Sequence, residues 1–188
     1  HRDVFAMVEA AFPGMEPSPM TLDRDALAAW RPFAAGLFDD LYAASDDGIG
    51  VTREAYGDGE QVAHDLIAAA AGAHGLDVAI DEARNMIIGL AGVDPAAPAI
   101  ACGSHLDSVP RGGNFDGAAG VIAGLTVMAA LKGAGIVPPR PIKLLALRAE
   151  ESAWFGKSWL GAHALFGLLT ADDLDRPRFD SGRRLGDY

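Results

Sequence analysis

The feature that most limits how this chain can fold is an apolar segment, residues 118–132, set between two short apolar runs at 99–103 and 142–147. From 118 to 131 only Gly and Thr interrupt it, so a helix built from it has no polar face to give to water. A bilayer span needs about 20 apolar residues, so this shorter segment reads as a buried core helix. Gly133, Gly135, Pro138, Pro139 and Pro141 end it. Strand, buried helix, strand in that order predicts an α/β fold with parallel neighbours: a mixed, mostly parallel sheet with helices on both faces. Ligands of such sheets gather at the C-terminal ends of the strands.

Upstream, residues 23–44 place apolar side chains at Leu27, Trp30, Leu37, Phe38 and Leu41, which predicts a helix interrupted at Pro32. Asp58 is expected to cap a further helix, with Gln61 three residues on, Val62, Leu66 and Ile67 inward, and Gly75 at its close. Strand candidates follow at 77–80 and 85–90, with a turn between them. A helical pattern returns around 159–169. Residues 1–20 hold Pro13, Gly14, Pro17 and Pro19 and read as a short helix, 3–12, and a linker.

The 188 residues suit one globular domain or part of a larger one. The net charge is −11, and Lys and Arg are scattered, so neither nucleic acid nor an anionic membrane surface is an expected partner. One cysteine excludes an intrachain disulfide and fits a reducing compartment. The N-terminus has no charged-then-apolar signal pattern, and a cytoplasmic location is expected. The chain opens on His1 rather than Met, as a fragment or a processed form would.

Chemistry-bearing residues concentrate between Cys102 and Glu151, in CGSHLDSVPRGGNFDG and, after the helix, IKLLALRAEES. His105 and Asp107 are two apart, so on an extended segment they point the same way. The Asp can then accept from the imidazole nitrogen that a metal does not use. Asp116 has two compatible readings, a carboxylate that bridges two metals and a cap for the following helix. Glu150 and Glu151 end the last strand. Adjacent acids repel unless cations are near, and one can bind metal while the other acts as a general base. His with carboxylates is a donor set for zinc-type ions. His64, His74 and His163 read as surface or structural residues. Cys102 reads as an inert thiol inside a strand, and Ser104 lies in no GxSxG elbow.

The block GSHLDSVPRGGNFDG resembles amidases of the hydantoinase/carbamoylase type, within the carboxypeptidase G-like metallopeptidases. The likeness extends over residues 37–169 and includes GVTREAY, RNMIIGL and WFGKSWLGAHAL. It implies a zinc-peptidase-like catalytic domain over 21–188, with a lid domain and a C-terminal part not present in the sequence. It implies that His105 is a metal ligand supported by Asp107, that Asp116 bridges two metals, that Glu150 is the general base and that Glu151 binds the second metal. The implied cofactor is a pair of divalent metals, with zinc ahead of manganese, cobalt or nickel. The implied reaction is hydrolysis of a linear amide or ureido C–N bond in a small molecule such as an N-carbamoyl amino acid or allantoate. A homodimer is expected of the full-length form, and an inactive protein of the isolated fragment. Relatives follow the acidic pair with Gly, a small residue, Arg and Phe. Here Ser152, Ala153, Trp154 and Phe155 stand instead, a departure that bears on substrate choice. The resemblance implies further His ligands, which in the family's pattern come later than Tyr188. An aminoacylase or dipeptidase is the alternative within the superfamily, and a non-catalytic metal-binding or assembly fragment is the alternative outside it.

Overall fold

The structure is a computed structural model that describes Leu22 and residues 24–188. The expected 3–12 helix and the 1–20 linker lie outside the described residues. In chain order the elements are α1 (Arg24–Ala28), α2 (Arg31–Ser45), α3 (Asp58–Ala73), β1 (Asp77–Ile80), β2 (Met86–Leu90), β3 (Ile100–His105), α4 (Ala118–Gly133), β4 (Ile142–Leu147), α5 (Ser152–Phe155), α6 (Leu160–Leu165), α7 (Ala171–Leu174) and a 3₁₀ turn at Leu185–Asp187. The break expected at Pro32 separates α1 from α2, and Pro32 sits in the first turn of α2, where a missing N–H costs nothing. The cap of α3 is Gly57, with Asp58 the first helical residue. Gly75, at φ +68°, closes α3 as expected.

The strands form a mixed sheet in the order β1-β2-β4-β3. The expected α/β fold and mixed sheet are present. Strands β3 and β4 pair in parallel, because the long α4 crossover joins them. Strand β2 is antiparallel to both β1 and β4. It therefore separates strands that run the same way, and parallel pairing does not predominate. The cause is local: Asp81 accepts from the Asn85 backbone at 2.8 Å and Arg84 adopts φ +64°, making a tight hairpin in place of a helical crossover.

Burial alternates along β2, with Met86, Ile88 and Leu90 inside, and β4 presents Leu144 and Ala146 to the same side. Helices α3 and α4 cover that side, and α2 packs against both helices. Gly120 and Gly124, one turn apart, let α4 lie directly on the sheet. A Cβ at Gly120 would come within 2.6 Å of the Ser104 Cβ, and one at Gly124 within 2.7 Å of a Leu144 methyl. Burying Leu125 and Leu144 in this core stabilises by about 1.5–3 kcal/mol per side chain. The expectation of helices on both faces is not met among the described residues. The second face, carrying Ile87, Gly89, Lys143 and Leu145, is half-buried to exposed. A smaller cluster of Ala55, Ala149, Trp154, Phe155, Leu160 and Leu185 closes the C-terminal end of β4.

Candidate metal centre

Strand β3 runs two residues past its expected end, so His105 is its last residue, buried at the C-terminal edge of the sheet. The His105 Nδ1 lies 3.0 Å from the Asp107 carbonyl oxygen and 3.3 Å from Asp107 Oδ1. A proton on Nδ1 satisfies both, and Nε2 faces the cleft. Nε2 is 3.6 Å from Glu150 Oε2 and 3.9 Å from Asp116 Oδ1. Burial disfavours the imidazolium. The hydrogen bond and charge of Asp107, with the charge of Glu150, outweigh it and raise His105 to about 9.

Asp107 does more than orient His105. It is fully buried, and its carboxylate accepts the backbone N–H groups of Glu150 (3.1 Å) and Glu151 (3.0 Å). One carboxylate thus ties the end of β3 to the acidic turn after β4. That turn is sharp because Ala149 adopts φ +50°, costly for a residue with a Cβ and here locked by complete burial. Burial and the neighbouring charges of Asp116 and Glu150 raise the Glu151 carboxyl above its ordinary value.

Asp116 is not a helix cap. Gly117 takes that position with φ 63° and ψ −54°, and the Ala118 N–H donates to the Asp116 carbonyl at 2.6 Å. This is a γ-turn with positive φ at its centre, a strained geometry. A Cβ on Gly117 would lie 2.5 Å from the His105 ring. The glycine thus serves both the turn and the approach of the ring, and it leaves the Asp116 carboxylate free in the cleft.

His105, Asp116 and Glu151 each offer a ligand atom, and these atoms all lie within 4.8 Å of one another. Ligand bonds of about 2.0–2.2 Å require a somewhat tighter cluster, and Asp116 is the exposed member of the pair it makes with His105. A nitrogen and two carboxylates fit a divalent ion of the zinc type. The Trp159 indole Nε1–H donates to Glu150 Oε1, and its backbone N–H donates to the Glu150 carbonyl at 2.9 Å, with Trp159 held at φ +63°. Oε1 of Glu150 is thereby tethered and Oε2 faces His105.

Supporting residues escaped the sequence reading. Arg148 and Glu60, both buried, pair at 2.9 Å. Glu60 also accepts from the Tyr56 and Ala149 backbones. Asn85 accepts from the Arg148 N–H (2.9 Å) and donates to the Gly161 carbonyl (3.0 Å). The signal available was a set of polar residues inside the motifs GVTREAYGDGE and ARNMIIGL, but nothing along the chain says with whom they pair. Trp154 is buried and donates to the Ser108 carbonyl at 2.7 Å, so the departure at this position braces the His105 loop from behind. Two expectations need correction. His64 is buried rather than on the surface, because it shares the inner face of α3 with Glu60, Ala63 and Ile67. Cys102 is exposed, because β3 is an edge strand among the described residues; partial burial still raises its thiol pKa and keeps it protonated. His74 packs against Trp30 and Phe33, away from the cleft. No helix among the described residues is long and apolar enough to cross a membrane.

The chain is similar to known proteins over most of its length. Over 136 residues the chain is 40% identical to an N-carbamoyl-L-amino-acid amidohydrolase of Paenarthrobacter aurescens, covering 72% of this chain and 33% of that protein. Over 126 residues it is 40% identical to the N-carbamoyl-L-amino acid amidohydrolase of Geobacillus stearothermophilus, covering 67% and 31%. The crystal structure of a hydantoinase/carbamoylase family amidase from Burkholderia ambifaria superposes with a TM-score of 0.72 at 35% identity, over 81% of this chain and 39% of that one. The chain thus spans about a third of the length of the curated relatives it matches. The profile of Peptidase family M28 matches residues 85–178, half of the chain, and contains His105, Asp107, Asp116, Glu150 and Glu151. The chain belongs to peptidase family M28, and its likeness there is to the hydantoinase/carbamoylase amidases.

Proposed function

We propose that this chain serves metal-dependent hydrolysis of a linear amide or ureido C–N bond, with N-carbamoyl amino acids and allantoate as the substrate class. The observation that carries the reading is the convergence of His105, Asp116 and Glu151 with Glu150 Oε2 3.6 Å from His105 Nε2. Two divalent metals, zinc first, are the proposed cofactors, and His105, Asp116 and Glu151 are the residues that would hold them. Bound, such ions acidify water and polarise a carbonyl oxygen. The protein's own part is positional and acid–base. Asp107 fixes the His105 tautomer and holds the Glu150–Glu151 turn. Glu150 takes the proton of the attacking water at Oε2 and returns it to the leaving nitrogen, while Trp159 holds Oε1.

The test is Glu150→Gln beside Asp116→Ala in the protein at its full natural length, assayed on N-carbamoyl amino acids, allantoate, N-acyl amino acids and dipeptides. Glu150→Gln is expected to lower turnover on the order of 10²–10⁴-fold with metal content largely kept. Asp116→Ala is expected to lose metal and activity together. Near-normal turnover in Glu150→Gln would remove the base assignment, and a preference for dipeptides would remove the substrate class.

A further inference from the structure

Arg53 heads the largest fully buried side chains, and the reaction outlined above gives it no part. Among the described residues no carboxylate comes within ion-pair distance of it, although a buried unpaired cation is expensive. Its bonds run to neutral groups. Nε donates to the Leu106 carbonyl at 2.6 Å, and Nη1 reaches Asn114 Oδ1 at 3.2 Å and Ser45 Oγ at 3.4 Å. Nη2 is buried without a partner. The Arg53 backbone is bonded on both sides to Ser108, N–H to Oγ and carbonyl from N–H, each at 3.0 Å. Asn114 in turn donates to the Phe38 carbonyl in α2 at 2.9 Å.

The placement of these bonds is specific. Leu106 lies between His105 and Asp107, and Asn114 is two residues before Asp116. One guanidinium therefore holds the two chain segments that carry the first two metal donors, and its charge interacts with Asp107 and Asp116. Lysine, a single point charge, cannot bridge them in the same way. We infer that Arg53 is a positioning residue, which clasps the turn after β3 to the 112–117 loop and so sets the separation of His105 from Asp116. The inference rests on the proposed reading of His105, Asp116 and Glu151 as ligands, and it deepens that reading.

The test uses the 188-residue chain with Arg53→Lys, Asn114→Ala, their double variant and, as a remote stability control, Leu125→Ala. Zinc affinity is measured by competition with a chelator, coordination by the visible spectrum of added cobalt(II), and loop order by metal-free amide exchange over 106–117. Arg53→Lys is expected to weaken zinc binding about 10–100-fold, the range for groups that orient ligands, to alter the cobalt bands and to speed exchange in the loop. Asn114→Ala is expected to do the same more weakly, and the double variant to fall little below Arg53→Lys, because both break one clasp. Leu125→Ala is expected to lose stability and leave the cobalt bands unchanged. Wild-type affinity, bands and exchange in Arg53→Lys overturn the inference. If that variant does not fold, the same result in Asn114→Ala overturns it. A wild-type chain that binds no zinc refutes the ligand reading instead, and exchange over 106–117 then still decides the clasp.

Discussion

At His105, burial and hydrogen bonding pull in opposite directions, and Asp107 wins, raising the group to about 9. A metal must therefore displace a proton from the ring at neutral pH. Zinc affinity of the chain is expected to rise with pH up to about 9, with one proton released at His105 in the neutral range. Calorimetry in buffers of different ionisation enthalpy measures that release, and affinity flat from pH 6 to 9 would contradict it. His64 poses the reverse case. Both its ring nitrogens are buried without partners, and burial, then the Arg148 and Arg84 charges, push it down to about 3. The unfolded chain binds this proton at about 6.5. The folded state is thus favoured fully above that value and loses the contribution as pH falls toward 3. His64→Leu removes two unsatisfied nitrogens and is expected to stabilise the fold by about 1–3 kcal/mol. Its stability is also expected to fall less steeply with acid, as read from urea midpoints between pH 4 and 8. An unchanged slope would show that His64 finds a proton acceptor.

Among the elements, the γ-turn that opens α4 decides whether the cleft exists. It turns the chain between Asp116 and the helix, and only glycine fits both its dihedrals and the His105 ring behind it. Gly117→Ala is expected to cost on the order of 1–3 kcal/mol in stability through backbone strain. It is also expected to displace the ring and abolish tight zinc binding, with α4 itself intact by circular dichroism. Zinc binding at wild-type affinity would mean that the ring has room to move. The FDG tripeptide makes this turn legible only in hindsight. Asp before Gly before an apolar helix reads equally well as a side-chain cap, and it is the positive φ of Gly117, not its position, that frees the Asp116 carboxylate.

For the whole molecule, the described residues supply one imidazole and two carboxylates around the proposed ions. They also leave β3 as an edge strand and the second sheet face partly open. Added zinc is expected to raise the melting temperature of the 188-residue chain by preferential binding to the folded state, while turnover of N-carbamoyl amino acids stays at or near background. Robust turnover would mean that groups beyond His105, Asp116 and Glu151 complete the site. What the sequence determined by itself was local and periodic. The apolar run at 118–131 has no polar face, so it had to be a core helix between strands, and the spacing of His105, Asp116, Glu150 and Glu151 put every proposed donor at a strand end or in the loop between. Only the tertiary structure decided the rest, because it depends on pairs far apart in the chain. The reversed β2 follows from a hairpin that the strand pattern left open. Asp107 bonded to Glu150 and Glu151, Glu60 to Arg148, and Arg53 to Leu106 and Asn114 are contacts across 43 to 88 positions. A buried polar group must find a partner, but the sequence states only the need, and folding selects which partner meets it.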